Sequence, residues 1–144
     1  MARFVLYKND GTIYRLEAEL PPSDEYVIFE FDAEDPNDIV YDGTQIRLKT
    51  EEEKLAEEKQ RKLAELKWYV ANLLSQTDYV VIKIAEAQTL GDTEAVEQLK
   101  QKYAIQLQQR EAIRQWNEQM KQAIRNAKTL EELRSIFIDF QLLI

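Results

Sequence analysis

A chain of 144 residues fits one domain or two small ones, and with 44% apolar residues it can bury only a modest core. The formal net charge of −8 argues against nucleic acid and anionic membrane surfaces as partners, because both need clustered Lys and Arg. Cys and His are both absent, which excludes disulfides, Cys/His zinc sites, Cys nucleophiles and His-based acid–base chemistry.

The opening Met1-Ala2-Arg3-Phe4-Val5-Leu6-Tyr7-Lys8 turns polar too soon for a signal peptide. No apolar run approaches the roughly 20 residues that span a bilayer, so a cytosolic protein is expected. Residues 4–8 form a short apolar run, and Asn9-Asp10-Gly11-Thr12 supplies the positive φ of a tight turn. Tyr14, Leu16, Ala18 and Leu20 then alternate with Arg15, Glu17 and Glu19, the period of a half-buried strand ended by Pro21-Pro22. Val27, Phe29 and Phe31 alternate with Ile28 and Glu30 in a third strand. Residues 39–41, Asp42-Gly43 and residues 45–49 read as a second hairpin. The pattern predicts one small antiparallel sheet of about four or five strands.

Near Thr50 the chain changes character. Residues 1–50 carry 5 basic and 11 acidic side chains, net −6, whereas residues 51–144 carry 14 and 16, net −2. All three Pro residues also lie in the first part. An acidic β-rich head over 1–49 and a helical body over 50–144 are expected, an α+β chain.

Thr50 with Glu53 makes a capping box. Leu63, Leu66, Val70 and Leu73 follow at spacings of three and four, a helical stripe; before them the first turns are expected to be exposed. Thr77-Asp78 predicts an interruption, either residue being able to cap a new helix. Gly91 fits a helix C-terminus and Asp92 the next N-cap. A long helix is predicted over 93–127. It carries one stripe of Val96, Leu99, Tyr103 and Leu107 and another of Ile113, Trp116, Met120 and Ala123, with Gln106, Gln108, Gln109 and Arg110 between them. Thr129 with Glu132 is a second capping box. A last amphipathic helix with Leu133, Phe137 and Phe140 on one face and Ile136 and Leu143 beside it is predicted to end in Leu142-Leu143-Ile144. That face packs on the long helix, where Phe137→Ala costs about 3–5 kcal/mol, or on another chain.

Four features bear on function. Residues 22–42 hold eight acids and no Lys or Arg. Around Asp32, Glu34, Asp35 and Asp38 this reads as solvated strand edges kept from aggregating, as a docking surface for a basic partner, or as a weak calcium site without the twelve-residue EF-hand pattern. Carboxylate pairs abound, but none sits beside a Gly-rich loop, a catalytic Ser motif or a metal-ligand cluster, so no catalytic, cofactor-binding or metal-binding residue is expected. The aromatics Trp68, Tyr69, Tyr79 and Trp116 read as core or as interface anchors. Trp68 and Tyr69 cannot face the same way, which leaves one for a partner. The a/d residues suit an intramolecular helical hairpin as well as an oligomer.

Leu73-Leu74-Ser75-Gln76-Thr77-Asp78-Tyr79-Val80-Val81-Ile82-Lys83-Ile84-Ala85-Glu86-Ala87 resembles a segment of small tail-associated proteins of tailed bacteriophages, found also at the ends of some tail-fibre and tail-fibre-assembly proteins. Arg110-Glu111-Ala112-Ile113-Arg114 and Thr129-Leu130-Glu131-Glu132-Leu133 match two further elements, and the resemblance covers roughly residues 60–136. Where the family segment often has a Pro-containing stretch, this chain has Gly91-Asp92-Thr93. The resemblance implies a non-enzymatic structural or assembly protein, a tail component or a chaperone for tail fibres. Its partners would be other tail or fibre proteins or a second copy of itself, in the host cytoplasm during assembly and in the virion tail. The alternative is a cytosolic adaptor whose acidic head docks a basic protein surface. Asp32, Glu34, Asp35, Asp38, Trp68, Tyr69, Phe137 and Phe140 are the candidate partner-binding residues.

Overall fold

The structure, a computed structural model, describes residues 1–141. The chain is α+β and divides into two compact units, Met1–Lys54 and Leu55–Ile144.

In the first unit β1 (Ala2–Tyr7), β2 (Ile13–Arg15) and β3 (Tyr26–Phe31) form an antiparallel sheet in the order β2-β1-β3. The β1–β2 turn is shaped locally. Asp10 Oδ1 accepts from the Thr12 N–H at 2.9 Å, and Gly11 takes a φ of 73° that a Cβ would disfavour. Because β1 is central, Phe4, Val5 and Leu6 are all buried although successive side chains face opposite sides. Phe4 stacks on Phe29 directly across the register at 5.6 Å, and on the other face Tyr7 meets Tyr14 and Tyr26, each at 5.7 Å.

Two expectations for this unit need correction. The strand predicted through residue 20 ends at Arg15, with one further rung from the Leu16 N–H to the Arg3 carbonyl at 2.9 Å. The register explains this: β1 begins at Ala2, so residues 18–20 have no strand opposite them. The strands also form two sheets, not one. Pro36–Asp38 make a single 3₁₀ turn, capped by the Asp35 carboxylate accepting from the Asn37 N–H at 2.9 Å, and this redirects the chain. A separate hairpin follows, β4 (Ile39–Tyr41) with β5 (Ile46–Leu48).

In the second unit the helices are α1 (Glu51–Ser75), α2 (Asp78–Thr89), α3 (Thr93–Lys102), α4 (Ala104–Asn126) and α5 (Leu130–Arg134). The chain runs along α1 and α2, turns at Gly91 (φ 70°), and returns along α3 and α4, a broken helical hairpin. Two apolar clusters fill it. Leu66 and Val70 of α1 pack with Ile113 and Ile124 of α4 and with Ala127 and Leu133; Val80, Ile84 and Ala87 of α2 pack with Val96 of α3 and with Tyr103. The second stripe of the return limb runs to Ile124, fully buried, and not to the exposed Ala123. The first turns of α1 are less exposed than expected, since Leu55 reaches the first cluster.

The helix predicted over 93–127 is bent at Tyr103 (φ −108°, ψ 26°). Hydrogen bonds from Tyr103 to Leu99 and from Leu107 to Tyr103, both 3.0 Å, continue across the bend. No Gly or Pro marks the position; the cause is tertiary. The outgoing limb is broken at Gln76-Thr77, and the return limb bends so that α3 can follow α2 while α4 follows α1.

The last helix is also shorter than predicted. It stops at Arg134, and residues 136–141 run without regular structure, with Ile136, Ile138 and Phe140 turned inward and Phe137, Asp139 and Gln141 outward. Leu133, Phe137 and Phe140 therefore do not share a face. The part of this prediction that concerns Leu142, Leu143 and Ile144 lies outside the described residues.

Candidate functional site

The acidic candidates are dispersed. Glu34 lies 3.5 Å from the Arg15 guanidinium, Asp38 lies 3.6 Å from Lys54 Nζ, and Asp35 caps the 3₁₀ turn. Asp32 is exposed. Among the described residues no group of three or more acidic side chains is placed to hold a metal ion.

The strongest electrostatics of the head lie elsewhere. Arg47 of β5 reaches Asp42 in the hairpin turn at 3.2 Å and Glu53 in the first turn of α1 at 2.6 Å. Glu53 also completes the capping box, its carboxylate accepting from the Thr50 N–H at 3.0 Å while its own N–H donates to Thr50 Oγ1 at 3.1 Å. The Arg47 hydrogen bond, helped by the Thr50 amide, brings the Glu53 carboxyl down to about 2. The amides of Gln45 and Thr44 lower Asp42 in the same way.

On the helical body the neighbours Trp68 and Tyr69 part company. Tyr69 points inward, its ring 5.7 Å from Trp116 and its hydroxyl oxygen accepting from the Phe140 N–H at 3.1 Å. Phe140 also lies 5.3 Å from Trp116, so the three rings clasp the segment after α5 to α1 and α4. Trp68 points outward and is 70% exposed. At 100° per residue it shares its face with Ala64, Ala71 and Ser75 on one side and with Arg61, Glu65 and Asn72 on the other, all exposed. Phe137 is 80% exposed. Of the eight candidates, the structure brings together only Tyr69 and Phe140, and for an internal purpose.

Arg110 stands in the sequence in a polar interruption between two stripes and at the head of the Arg110-Glu111-Ala112-Ile113-Arg114 element, and neither signals burial. It is buried, and its Nη1 lies 2.8 Å from the Leu74 carbonyl, 3.0 Å from Thr77 Oγ1 and 2.9 Å from Asp78 Oδ1. One guanidinium thus closes the end of α1 and the start of α2. Thr77, one of the two residues able to cap α2, makes no such bond and offers its hydroxyl oxygen to Arg110. Nothing near Arg110 in sequence signals this, because its partners lie 32 to 36 positions away. Lys59 and Lys62 play a similar part, donating to the carbonyls of Arg125 at 2.8 Å and Leu133 at 2.9 Å, where helices end and carbonyls lack partners.

No described helix is long and apolar enough to cross a membrane. No protein-family model, curated protein or solved structure matches this chain.

Proposed function

We propose that this chain is a non-enzymatic structural or assembly protein of a bacteriophage tail or tail fibre, acting by binding other proteins. The observation that carries the binding part of this reading is Trp68, 70% exposed in the second half of α1. Tryptophan is enriched among the residues that dominate interface energies. On one side it is flanked by the small residues Ala64, Ala71 and Ser75, so a partner approaching from that side can cover the ring with few long side chains to immobilise. The tail part rests on the resemblance of residues 60–136, carried by the Thr77-Asp78-Tyr79 and Arg110-Glu111-Ala112-Ile113-Arg114 elements. On this reading the chain works in the host cytoplasm while tails are built, and its partners are tail or fibre proteins or a second copy of itself.

The test is affinity capture from cells that also express the tail and fibre genes of the same genome, read by mass spectrometry. Wild type is expected to retain tail or fibre proteins and Trp68→Ala to lose them. Equal recovery with both chains would overturn the role of Trp68. Recovery confined to proteins unrelated to tails would overturn the tail assignment.

A further inference from the structure

The sheet of the head has an open side. In the order β2-β1-β3 no strand among the described residues pairs with the outer edge of β3. The ladder pattern gives the groups on that edge. The Lys8 N–H donates to the Glu25 carbonyl at 3.0 Å, so Lys8 and Glu25 form a hydrogen-bonded pair and the pairs alternate along the ladder from there. On the other side of β1, the bonds from Tyr7 to Thr12 and from Leu16 to Arg3 fit the same alternation. Val27, Phe29 and Phe31 therefore bond inward to β1, whereas Tyr26, Ile28 and Glu30 present their N–H and C=O groups to the free edge.

This edge lacks the usual protection. Its six residues, Tyr-Val-Ile-Phe-Glu-Phe, contain no Lys and no Pro, and the register with β1 is unbroken from Ala2↔Phe31 to Tyr7↔Tyr26, so no bulge turns the edge away. Acidic side chains bracket it instead. Asp24 and Glu25 precede the strand, Glu30 lies within it and Asp32 follows, and none of these meets a Lys or Arg among the described residues. The charges also decide against a second copy. Antiparallel self-pairing through the outward groups, centred on Ile28, sets Asp24 of each chain opposite Asp32 of the other, and like charges directly opposed are destabilising.

We propose that the outer edge of β3 receives an extended segment of a partner protein as a fourth strand, and that this segment carries Lys or Arg at both ends. The backbone groups of Tyr26, Ile28 and Glu30 supply the pairing, and the bracketing carboxylates select a basic strand and exclude acidic ones and this chain itself. The proposal needs nothing from Trp68 and stands whether or not the partner is a tail protein.

The experiment uses the full chain and a capped peptide with an alternating Thr-Val core and two lysines at each end. Amide exchange and amide chemical shifts are followed by NMR. The expected result is at least tenfold slower exchange at Tyr26, Ile28 and Glu30, affinity that falls with added salt, and no binding of the same peptide with glutamates in place of the lysines. Glu30→Pro removes an outward N–H at an exposed edge position where Pro is tolerated, and should cut binding tenfold or more. Glu30→Lys leaves the backbone intact and should weaken the lysine peptide while admitting the glutamate peptide. The inference is overturned if the lysine peptide leaves these amides unprotected at millimolar concentration, if both peptides bind wild type equally, or if the shifts map away from β3. It is equally overturned if these amides are already protected in a dimer of the free chain.

Discussion

In the head, the chain is shaped by groups only a few residues apart. Asp10 holds the amide of Thr12, Asp42 those of Thr44 and Gln45, Asp35 that of Asn37, and Arg47 reaches no further than Glu53. In the helical body the decisive groups are far apart in sequence: Arg110 with Leu74, Lys59 with Arg125, Lys62 with Leu133, Tyr69 with Phe140. A turn that satisfies its own amides can be read from four residues. A helix break closed from the opposite limb cannot.

The comparison is tested hardest in the body's apolar cluster. Leu66→Ala and Ile124→Ala each empty a fully enclosed position and should cost about 2–5 kcal/mol in denaturant unfolding, with loss of the α1–α4 packing. A cost below about 1 kcal/mol would mean that the hairpin is not held by this cluster.

Arg110→Met should come next. It removes the group that satisfies Leu74, Thr77 and Asp78 while keeping an apolar stem. The expected cost is about 1–3 kcal/mol, the lower end being favoured because Asp78 is half exposed and can recruit water. Amide exchange should quicken first at the start of α2. A uniform change over all helices would contradict a local staple.

The chain end gives a sharper pair. Phe140→Ala opens the clasp with Tyr69 and Trp116 and should cost about 1–3 kcal/mol, since the ring is only partly buried. Phe137→Ala should stay within about 0.5 kcal/mol, in place of the large loss expected of a shared helical face. Equal losses for both would restore the helix.

The head should show its local ionic chemistry in acid. Glu53 has a folded pKa of about 2 against an ordinary value of 4.5, so its contribution to stability is fully present above the ordinary value and is lost as pH falls through about 2. Glu53→Gln should flatten the pH dependence of head unfolding across that window. An unchanged slope would show that the Arg47 pairing does not stabilise the fold.

The same contrast explains which parts of the molecule were legible. The Thr50–Glu53 capping box, the Asp-Gly turns, Gly91 and Asp92 are local devices, and each stands where the residue pattern put it; the second box is half made, Thr129 Oγ1 accepting from the Glu132 N–H while the Glu132 carboxylate takes the Lys128 N–H. The bend at Tyr103 had no local signal, because it answers the break in the other limb. Residues 133–140 were ambiguous: Leu133, Phe137 and Phe140 fit a helical period, while Ile136, Ile138 and Phe140 fit a strand-like one. The extended form wins because it seats Ile138 and brings the Phe140 amide to the Tyr69 hydroxyl. The β-branched pair Ile136 and Ile138 was the available hint. Of the candidate site, the rule that Trp68 and Tyr69 must diverge was readable; which of them faces out depended on Trp116 and Phe140.

On the proposed function, Trp68 serves a partner while its neighbour serves the fold. The direct measurement is the dissociation constant of the captured tail or fibre protein for wild type and for Trp68→Ala, with the melting temperature of each chain taken alongside. An interface anchor is worth about 2 kcal/mol or more, roughly thirtyfold in affinity. The expected result is that loss with an unchanged melting temperature; an unchanged dissociation constant would contradict the proposed role of Trp68.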